Sequence, residues 1–288
     1  MPNKVGNITS TKKIIDDNDF YIKKKFGQNF LTDQNILNNI VDVATLDRDT
    51  DVIEIGPGLG ALTEIIASKC NRLLCYEIDS DLIPILTDLF KDYDNFKLIN
   101  QDILSVDIDK ELDTLFDGKH KICLVANLPY YITTAIILKL LEETNKIKSY
   151  TMMMQEEVAD RICSKPDVKD YNSLSVAIQY RAKAKKVLKI SRNIFIPKPN
   201  VDSAVIRLDL YDESPYKTKY EKEFFKLIRD AFSQRRKTLV NNLKTTGYNK
   251  EKVLEYIHLN NLSESVRSEE LSVEDFKNLI EFLVENND

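Results

Sequence analysis

The stretch Val52-Ile-Glu-Ile-Gly-Pro-Gly-Leu-Gly-Ala-Leu-Thr63 carries the strongest local signal in this 288-residue chain. An apolar run leads into a turn rich in glycine, and residues that favour a helix follow it. This order predicts a strand, a tight turn and a helix, which lets the backbone approach a ligand closely at a helix N-terminus. Taken alone the turn is a weak signal, because dinucleotide-binding folds use nearly the same sequence and a tight turn can also exist without a ligand.

Apolar, β-rich runs alternate with helical stretches on both sides of this turn. The predicted strands cover residues 51–55, 72–77, 96–100, 121–126, 150–154, 185–190 and 204–210. Apolar strands separated by helices indicate an α/β fold with a mostly parallel, seven-stranded sheet that is covered on both faces. Residues 197–200, Pro-Lys-Pro-Asn, break any helix and predict a turn between antiparallel neighbours.

Two domains and a flexible N-terminal arm are expected. Residues 1–20 alternate small, polar and charged types, which is typical of a loose arm. The α/β domain is predicted over residues 21–210, with a helix that starts near Thr32 or Asp33. Residues 219–288 have helical periodicity, and Ser272 with Asp275 resembles a capping box, so a small C-terminal all-helical domain is expected.

Composition places the chain among soluble globular proteins, with 43% hydrophobic and 30% charged residues. No apolar run is long enough to span a bilayer, and the N-terminus lacks the apolar core of a signal peptide, so we expect a cytoplasmic protein with no membrane partner. The four cysteines form no Cys-x-x-Cys pair. They are therefore expected to be reduced packing residues, and no metal site is predicted.

Charge is strongly segregated along the chain, although the net charge is −5. Positive side chains cluster at residues 23–25, 181–192 and 235–237, whereas acidic residues collect between 264 and 288. A single basic run is usually a solvated face. Three separate runs on an acidic chain favour a surface that faces a polyanion.

Two acidic residues follow the second and third predicted strands. Glu77, about twenty residues after the first glycine, can accept hydrogen bonds from both ribose hydroxyls of an adenosine cofactor, and this suits NAD and S-adenosylmethionine equally. Asp102 can accept a hydrogen bond from the cofactor's adenine amino group, and Ile78 and Ile103 could sandwich that ring. An acid after each of these strands is the pattern of Rossmann-like class I methyltransferases, although either acid alone could be a helix cap.

The fourth strand ends in Asn127-Leu-Pro-Tyr-Tyr131, the most specific feature of the sequence. An adenine amino group is a poor nucleophile because its lone pair is delocalised into the ring. The Asn127 side-chain oxygen and the Leu128 carbonyl can accept its two N–H groups, which favours a tetrahedral nitrogen and aims the lone pair at a methylsulfonium. Pro129 makes the turn rigid, and the Tyr130 ring can stack on a flipped base.

These features together resemble the ribosomal RNA adenine dimethyltransferases of the KsgA type, over nearly the whole chain after the N-terminal arm. The matching segments are 25–31, 56–60, 127–131, 171–175, 197–203 and 232–239, with Glu77 and Asp102. The resemblance implies that Asn29 and Leu31 close over the methionine end of S-adenosylmethionine and that Gly56 contacts it through the backbone. It also implies that Phe195 forms the other wall of the target-adenine pocket.

The resemblance further implies the reaction and the partner. Two adjacent adenosines in a hairpin loop near the 3′ end of small-subunit (16S) ribosomal RNA would each receive two methyl groups on N6 while the 30S subunit assembles. We expect the enzyme to act as a monomer.

Three alternatives remain at this point. Erm-type methyltransferases, which modify large-subunit RNA, have a similar pocket motif, but residues 232–239 and the Asn-Leu-Pro-Tyr-Tyr form resemble the KsgA type more closely. A non-catalytic RNA-binding assembly factor would have no need of the intact set of Glu77, Asp102 and Asn127. An NAD oxidoreductase is disfavoured because residues 127–130 do not suit hydride transfer.

Overall fold

The computed structural model describes residues 5–286 and contains two compact units. The first comprises the described residues up to 159 together with 185–210, and the second comprises 160–184 and the described residues from 211 onward. The predicted division after residue 210 differs from this, because residues 160–184 belong to the helical unit. There the ring centroids of Tyr180 and Phe224 lie 4.5 Å apart. Residues 1–4 of the predicted arm and 287–288 of the predicted helical domain lie outside the described residues.

Helices and strands alternate through most of the chain. The helices are α1 (Ile8–Asp17), α2 (Gln34–Ala44), α3 (Ala61–Lys69), α4 (Leu82–Leu89), α5 (Ile108–Leu115), α6 (Thr133–Glu143), α7 (Glu156–Cys163), α8 (Ser173–Arg181), α9 (Glu221–Ala231), α10 (Leu239–Thr245), α11 (Lys250–Leu259) and α12 (Val273–Glu285). The strands are β1 (Phe30–Leu31), β2 (Thr50–Ile55), β3 (Leu73–Glu77), β4 (Phe96–Asn100), β5 (Lys121–Asn127), β6 (Ile147–Gln155), β7 (Ala182–Ile190), β8 (Phe195–Ile196) and β9 (Ser203–Leu210).

The main sheet has seven strands in the order β4-β3-β2-β5-β6-β9-β7, which confirms the predicted Rossmann-like architecture. Strands β2 to β6 pair in parallel, and β9 runs antiparallel to β6. All seven predicted strands are present. The sequence did not predict the additional antiparallel pair of β1 and β8, in which Leu31 is opposite Phe195.

The core forms because β2 and β3 are apolar enough to be covered on both faces. Every residue of these two strands is buried. Leu37 and Ile40 of α2 pack with Ile66 of α3 in one apolar cluster against the sheet. Asp33 caps α2 by accepting the backbone N–H groups of residues 35 and 36, at the predicted start of that helix.

The glycine-rich turn between β2 and α3 is set by close packing. Gly60 caps α3 with φ of +83°, and a Cβ atom there would lie 2.5 Å from the ring of Phe90. Only glycine fits this position without moving the ring. The tight turn brings the N-terminus of α3 to the carboxyl end of β2.

The described part of the N-terminal arm is ordered, which corrects the prediction of a flexible segment over residues 1–20. Asn7 and Ser10 form a capping box at the start of α1. The side chain of Thr11 is buried, and the backbone N–H of Val5 donates a hydrogen bond of 3.2 Å to Glu64. The buried residues of this segment are few and lie within a polar sequence. The apolar pattern is therefore too weak to predict helix α1.

The second unit is mainly helical, since it contains α8 to α12 together with the end of α7 and the first three residues of β7. Ser272 and Asp275 form the predicted capping box at the start of α12. Phe276 and Leu279 are buried, which confirms that the predicted apolar face of α12 packs into the core. Within residues 5–286, no helix combines the length and the apolar character that a membrane span requires.

Candidate active site

A single cleft of about 1100 Å³, including its opening to solvent, lies where β2, β3, β4 and β5 reach their carboxyl ends. The side chains of different strands meet there because the ends of parallel strands lie at the same edge of a sheet. The predicted site residues that line this cleft are Asn29, Leu31, Gly56, Glu77, Ile78, Asp102, Ile103, Asn127, Leu128, Pro129 and Tyr130.

Glu77 ends β3 and is only 5% exposed. Its Oε1 accepts a 2.9 Å hydrogen bond from the N–H of Asp79, and its Oε2 accepts one of 3.2 Å from the N–H of Gly58. Burial raises the pKa of Glu77 to about 7, because the charged form loses its hydration, and the two N–H donors oppose that shift. Each carboxylate oxygen keeps a further lone pair with which it can accept a ligand hydroxyl.

Asp102 follows β4, and Ile78 and Ile103 lie beside it in the cleft. Oδ1 of Asp102 accepts the N–H of Leu104 at 2.9 Å and so caps the 3-10 turn Ile103–Ser105. The cap occupies one oxygen, and Oδ2 has no hydrogen-bond partner among residues 5–286. Ile78 is 41% exposed, whereas Ile103 is buried, so an apolar surface is open to solvent next to a free carboxylate oxygen. This combination suits a flat ring with an amino group.

The side chain of Asn127 has a fixed orientation at the end of β5. Its Nδ2 donates a 3.2 Å hydrogen bond to the backbone carbonyl of Asn29. Only the amide nitrogen can face a carbonyl oxygen, so Oδ1 must point away from Asn29. In the described chain this oxygen accepts no hydrogen bond. The site therefore presents a positioned acceptor without a partner.

The turn after β5 adds a second acceptor. The N–H of Leu128 donates to the carbonyl of Met153 on β6 at 3.2 Å, and the carbonyl of Leu128 has no hydrogen-bond partner within the part of the chain that the structure describes. The Pro129 carbonyl accepts the Oγ1 hydroxyl of Thr133 at 2.9 Å, in the first turn of α6. Oδ1 of Asn127 and the carbonyl of Leu128 are thus two acceptors from consecutive residues. Hydrogen bonds hold the turn that follows at both of its ends.

Tyr130 lines the cleft with part of its ring exposed. Its hydroxyl forms a 2.6 Å hydrogen bond with Oγ of Ser203, the buried first residue of β9. Burial raises the pKa of Tyr130, so the ring stays neutral near physiological pH. The bond to Ser203 fixes the angle of the ring, as a stacking platform requires.

Phe195 is not among the residues that line the cleft, and its role as the other wall of the target-adenine pocket stays a prediction. It is 3% exposed and packs in the apolar cluster that also contains Leu31 and Val205. In the pairing of β8 with β1, Phe195 is opposite Leu31, which does line the cleft.

A buried ionic network beside Glu77 was missed by sequence reasoning. The Asp79 carboxylate is almost completely buried, and it binds Nζ of Lys23 at 2.5 Å and Nε2 of Gln28 at 2.7 Å. Oε1 of Gln28 in turn accepts the N–H of Lys23 at 2.8 Å. These bonds fix the segment 23–29, which we call the strap, between the Glu77 loop and Asn127. In the sequence Asp79 looks like an ordinary acid near a helix start.

Glu54 is a second buried carboxyl group at the cleft that the sequence did not single out. It accepts a 3.4 Å hydrogen bond from Sγ of Cys75. Burial raises the pKa of Glu54 to about 7, and the nearby charge of Glu77 adds to the shift. In the sequence Glu54 is one residue of a β-strand, and nothing marks it as buried.

Basic side chains are exposed in both units. Lys183 and Lys185 on β7 are exposed and have no acidic partner among the described residues, whereas Lys189 pairs with Glu156 at 3.0 Å. Arg235 in the second unit donates a 2.5 Å hydrogen bond to a backbone carbonyl and remains exposed. The predicted basic clusters thus contain both neutralised and free cations.

The chain is similar to known proteins over most of its length. Residues 19–285 match the family model described as Ribosomal RNA adenine dimethylase. The chain is 44% identical over 275 residues to the Ribosomal RNA small subunit methyltransferase A of Alkaliphilus oremlandii, covering 95% of this chain and 96% of that protein. Its fold is similar to a dimethyladenosine transferase from Plasmodium falciparum (TM-score 0.73, 26% identity, 89% of this chain and 97% of that one). The fold is also similar to that of the 23S rRNA methyltransferase ErmE, with a TM-score of 0.69 and 25% identity, covering 88% of this chain and 99% of that one. The chain therefore belongs to the ribosomal RNA adenine dimethylase family.

Proposed function

We propose that this protein uses S-adenosylmethionine to dimethylate N6 of two adjacent adenosines in a hairpin loop near the 3′ end of 16S ribosomal RNA. It would act as a monomer on the assembling small subunit in the cytoplasm. The family and the names of its relatives support the reaction class. The four cysteines are free thiols, which agrees with the reducing compartment that we propose.

The cleft residues fit the cofactor by their hydrogen-bonding chemistry. Glu77 would hold the two ribose hydroxyls, and Asp102 would accept the adenine amino group while Ile78 and Ile103 cover the ring. Asn29, Leu31 and Gly56 would enclose the methionine end. When bound, S-adenosylmethionine supplies an electrophilic methyl group on its sulfonium centre.

The single observation that carries the proposal is a pair of acceptors, Oδ1 of Asn127 and the carbonyl of Leu128, to which no group in residues 5–286 donates. An adenosine amino group has two N–H donors, and a site that accepts both favours a tetrahedral nitrogen. The lone pair is then released from the ring and can be aimed at the methyl group. As the new N–C bond forms, the bond between the methyl group and sulfur would break and S-adenosylhomocysteine would leave. The nitrogen becomes acidic and loses a proton to solvent, so no strong general base is needed.

The Tyr130 ring would stack on the target adenine after the base has left its own stack. Bases in a hairpin loop are unstacked or flipped at low cost, and this makes them accessible to a recessed site. The hydrogen bond between Tyr130 and Ser203 prepares the ring for stacking. We assign Tyr130 to positioning the base and Asn127 to the reacting nitrogen.

Small-subunit RNA is favoured over large-subunit RNA by sequence rather than by fold. The similarities to the dimethyladenosine transferase and to ErmE are nearly equal, so the fold does not separate the two substrates. The relative at 44% identity is named as a small-subunit methyltransferase. Modification of a large-subunit adenosine is therefore treated as an outcome of the test.

The test is mass spectrometry of ribosomal RNA after incubation with the protein and isotope-labelled S-adenosylmethionine. Small and large subunits that lack N6-dimethyladenosine are supplied separately. We expect labelled dimethyladenosine at two adjacent positions of the small-subunit RNA. Label in large-subunit RNA alone would reassign the substrate to that RNA. Binding to either subunit without any label would indicate that the protein is a non-catalytic RNA-binding factor.

A further inference from the structure

Tyr131, the second tyrosine of the turn after β5, is exposed beside the cleft. It is 59% exposed, although it lies directly next to Tyr130, which lines the cleft. An exposed aromatic ring beside a cleft offers a flat face on which a nucleobase can stack. The role proposed above for Asn127 to Tyr130 leaves Tyr131 without a function.

One side of the Tyr131 ring rests on the strap. A Cβ atom at Gly27 would lie 3.4 Å from Cδ1 and 3.5 Å from Cε1 of Tyr131. Gly27 has φ of +61°, a left-handed backbone that favours glycine, whereas a Cβ atom at these distances would be in ordinary van der Waals contact with the ring. The ring therefore lies close to the strap backbone, and 59% of the residue remains open to solvent.

The strap is itself rigidly held, so the ring has a firm support. Lys23 and Gln28, on either side of Gly27, both bind the buried carboxylate of Asp79. A platform that is ordered before its ligand arrives loses little conformational entropy on binding.

The strap that contacts this ring also carries positive charge. Lys24 and Lys25 are exposed on the strap, and neither has an acidic partner among residues 5–286. Nζ of Lys25 lies 4.6 Å from the ring centroid of Phe26, which also lines the cleft. An exposed aromatic ring against a segment that carries two exposed lysines suits a nucleotide, since the base has a flat face and the phosphate is an anion.

We propose that Tyr131, supported by Gly27, forms a second base-stacking site that receives the nucleobase adjacent to the target adenosine, while Lys24 and Lys25 contact its phosphates. The proposal rests on the proposed function, because it assumes an RNA whose target base enters the neighbouring pocket. In an RNA with two adjacent target adenosines, each is the neighbour of the other. The site would then hold one adenosine while the other is methylated.

The test compares three variants of the full chain on small subunits that lack the modification. Tyr131→Ala should raise KM for the subunits about 10-fold, within the range for loss of one base–aromatic stack, with little change in Kd for S-adenosylmethionine. Tyr131→Phe keeps the ring and should stay within about twofold of wild type. The matched control is Tyr21→Ala, since Tyr21 is an 81% exposed tyrosine that does not line the cleft, and this variant should behave as wild type.

A second measurement identifies the occupant. Small subunits are reconstituted with an abasic nucleotide on the 5′ or the 3′ side of one target adenosine. For wild type, one of the two substitutions should raise KM about 10-fold, and for Tyr131→Ala the same substitution should add almost nothing. Unchanged KM in Tyr131→Ala, or full additivity of the two losses, would overturn the stacking site. Wild type that methylates neither subunit would instead refute the proposed function, so the two failures are distinguishable.

Discussion

Cofactor affinity should fall as the pH falls through 7, because Glu77 must be ionised to hold the cofactor. Its pKa is raised to about 7 by burial, so the cofactor-free protein binds a proton there in neutral solution. Both carboxylate oxygens already accept a backbone N–H, from Asp79 and Gly58. Two ribose hydroxyls can be accepted only through the remaining lone pairs, and protonation removes one of these acceptors.

The size of the effect follows from a single titration. A group with a pKa near 7 is almost fully ionised at about pH 8 and only about one-tenth ionised at about pH 6, so Kd should rise roughly 10-fold over that interval, or about 1.4 kcal/mol. Calorimetry in two buffers of different ionisation enthalpy should show that binding releases about half a proton near pH 7.

Two variants separate Glu77 from other titrating groups. Glu77→Gln should weaken binding by about 2–3 kcal/mol at pH 8 and remove most of the pH dependence. Any dependence that remains belongs to the cofactor itself and can be subtracted. Glu54→Gln is the matched control, because Glu54 is a buried carboxyl group with a similarly raised pKa at the same cleft. The Glu54→Gln variant should retain the pH dependence. A Kd for wild type that stays constant from pH 6 to pH 8 would show that cofactor binding does not depend on the ionisation of Glu77.

Further predictions concern the strap, the basic surface and the target base. Asp79→Asn removes the buried one of the two charged partners of Lys23, the other being the exposed Asp81, and should cost about 1–2 kcal/mol in cofactor affinity and in the barrier to methyl transfer, measured by calorimetry and single-turnover kinetics; unchanged values would show that other contacts hold the strap. Replacing Lys183 and Lys185 by glutamine should flatten the log–log salt dependence of RNA binding by about 1.5 units, with cofactor affinity unchanged, and an unchanged slope would make them a solvated face. Tyr130→Phe keeps the stacking ring but loses the bond to Ser203, so it should raise KM for the subunits by roughly 5-fold and change kcat little; a large fall in kcat alone would contradict a positioning role.

The sequence predicted those parts of the site whose position follows from strand ends. Glu77, Asp102 and Asn127 each lie at the carboxyl end of a predicted strand, and parallel strands present these ends at one edge. The alternation of apolar strands and helices therefore sufficed to bring the three together. The chemistry of Asn127 could be inferred because an amide and a neighbouring carbonyl have defined hydrogen-bonding capacities.

Features that depend on tertiary packing were not predicted. Helix α1 has too few apolar residues for a clear pattern, and its order comes from distant contacts such as the bond from Val5 to Glu64. Phe195 lies in a short strand whose partner is far away in sequence, so its burial could not be inferred locally. Asp79 has a defined role only because Lys23 and Gln28 fold over it.

The most direct test of the account is the single-turnover rate of Asn127→Ala on small subunits that lack the modification, measured beside its affinities for subunit and cofactor. The positioned oxygen of Asn127 should matter most as the target nitrogen becomes tetrahedral. We therefore predict that both Kd values stay within a few-fold of wild type while the rate falls by at least about 100-fold, as for other preorganised hydrogen-bonding groups. Methylation by this variant at close to the wild-type rate would contradict the assignment of Asn127 and the mechanism built on it.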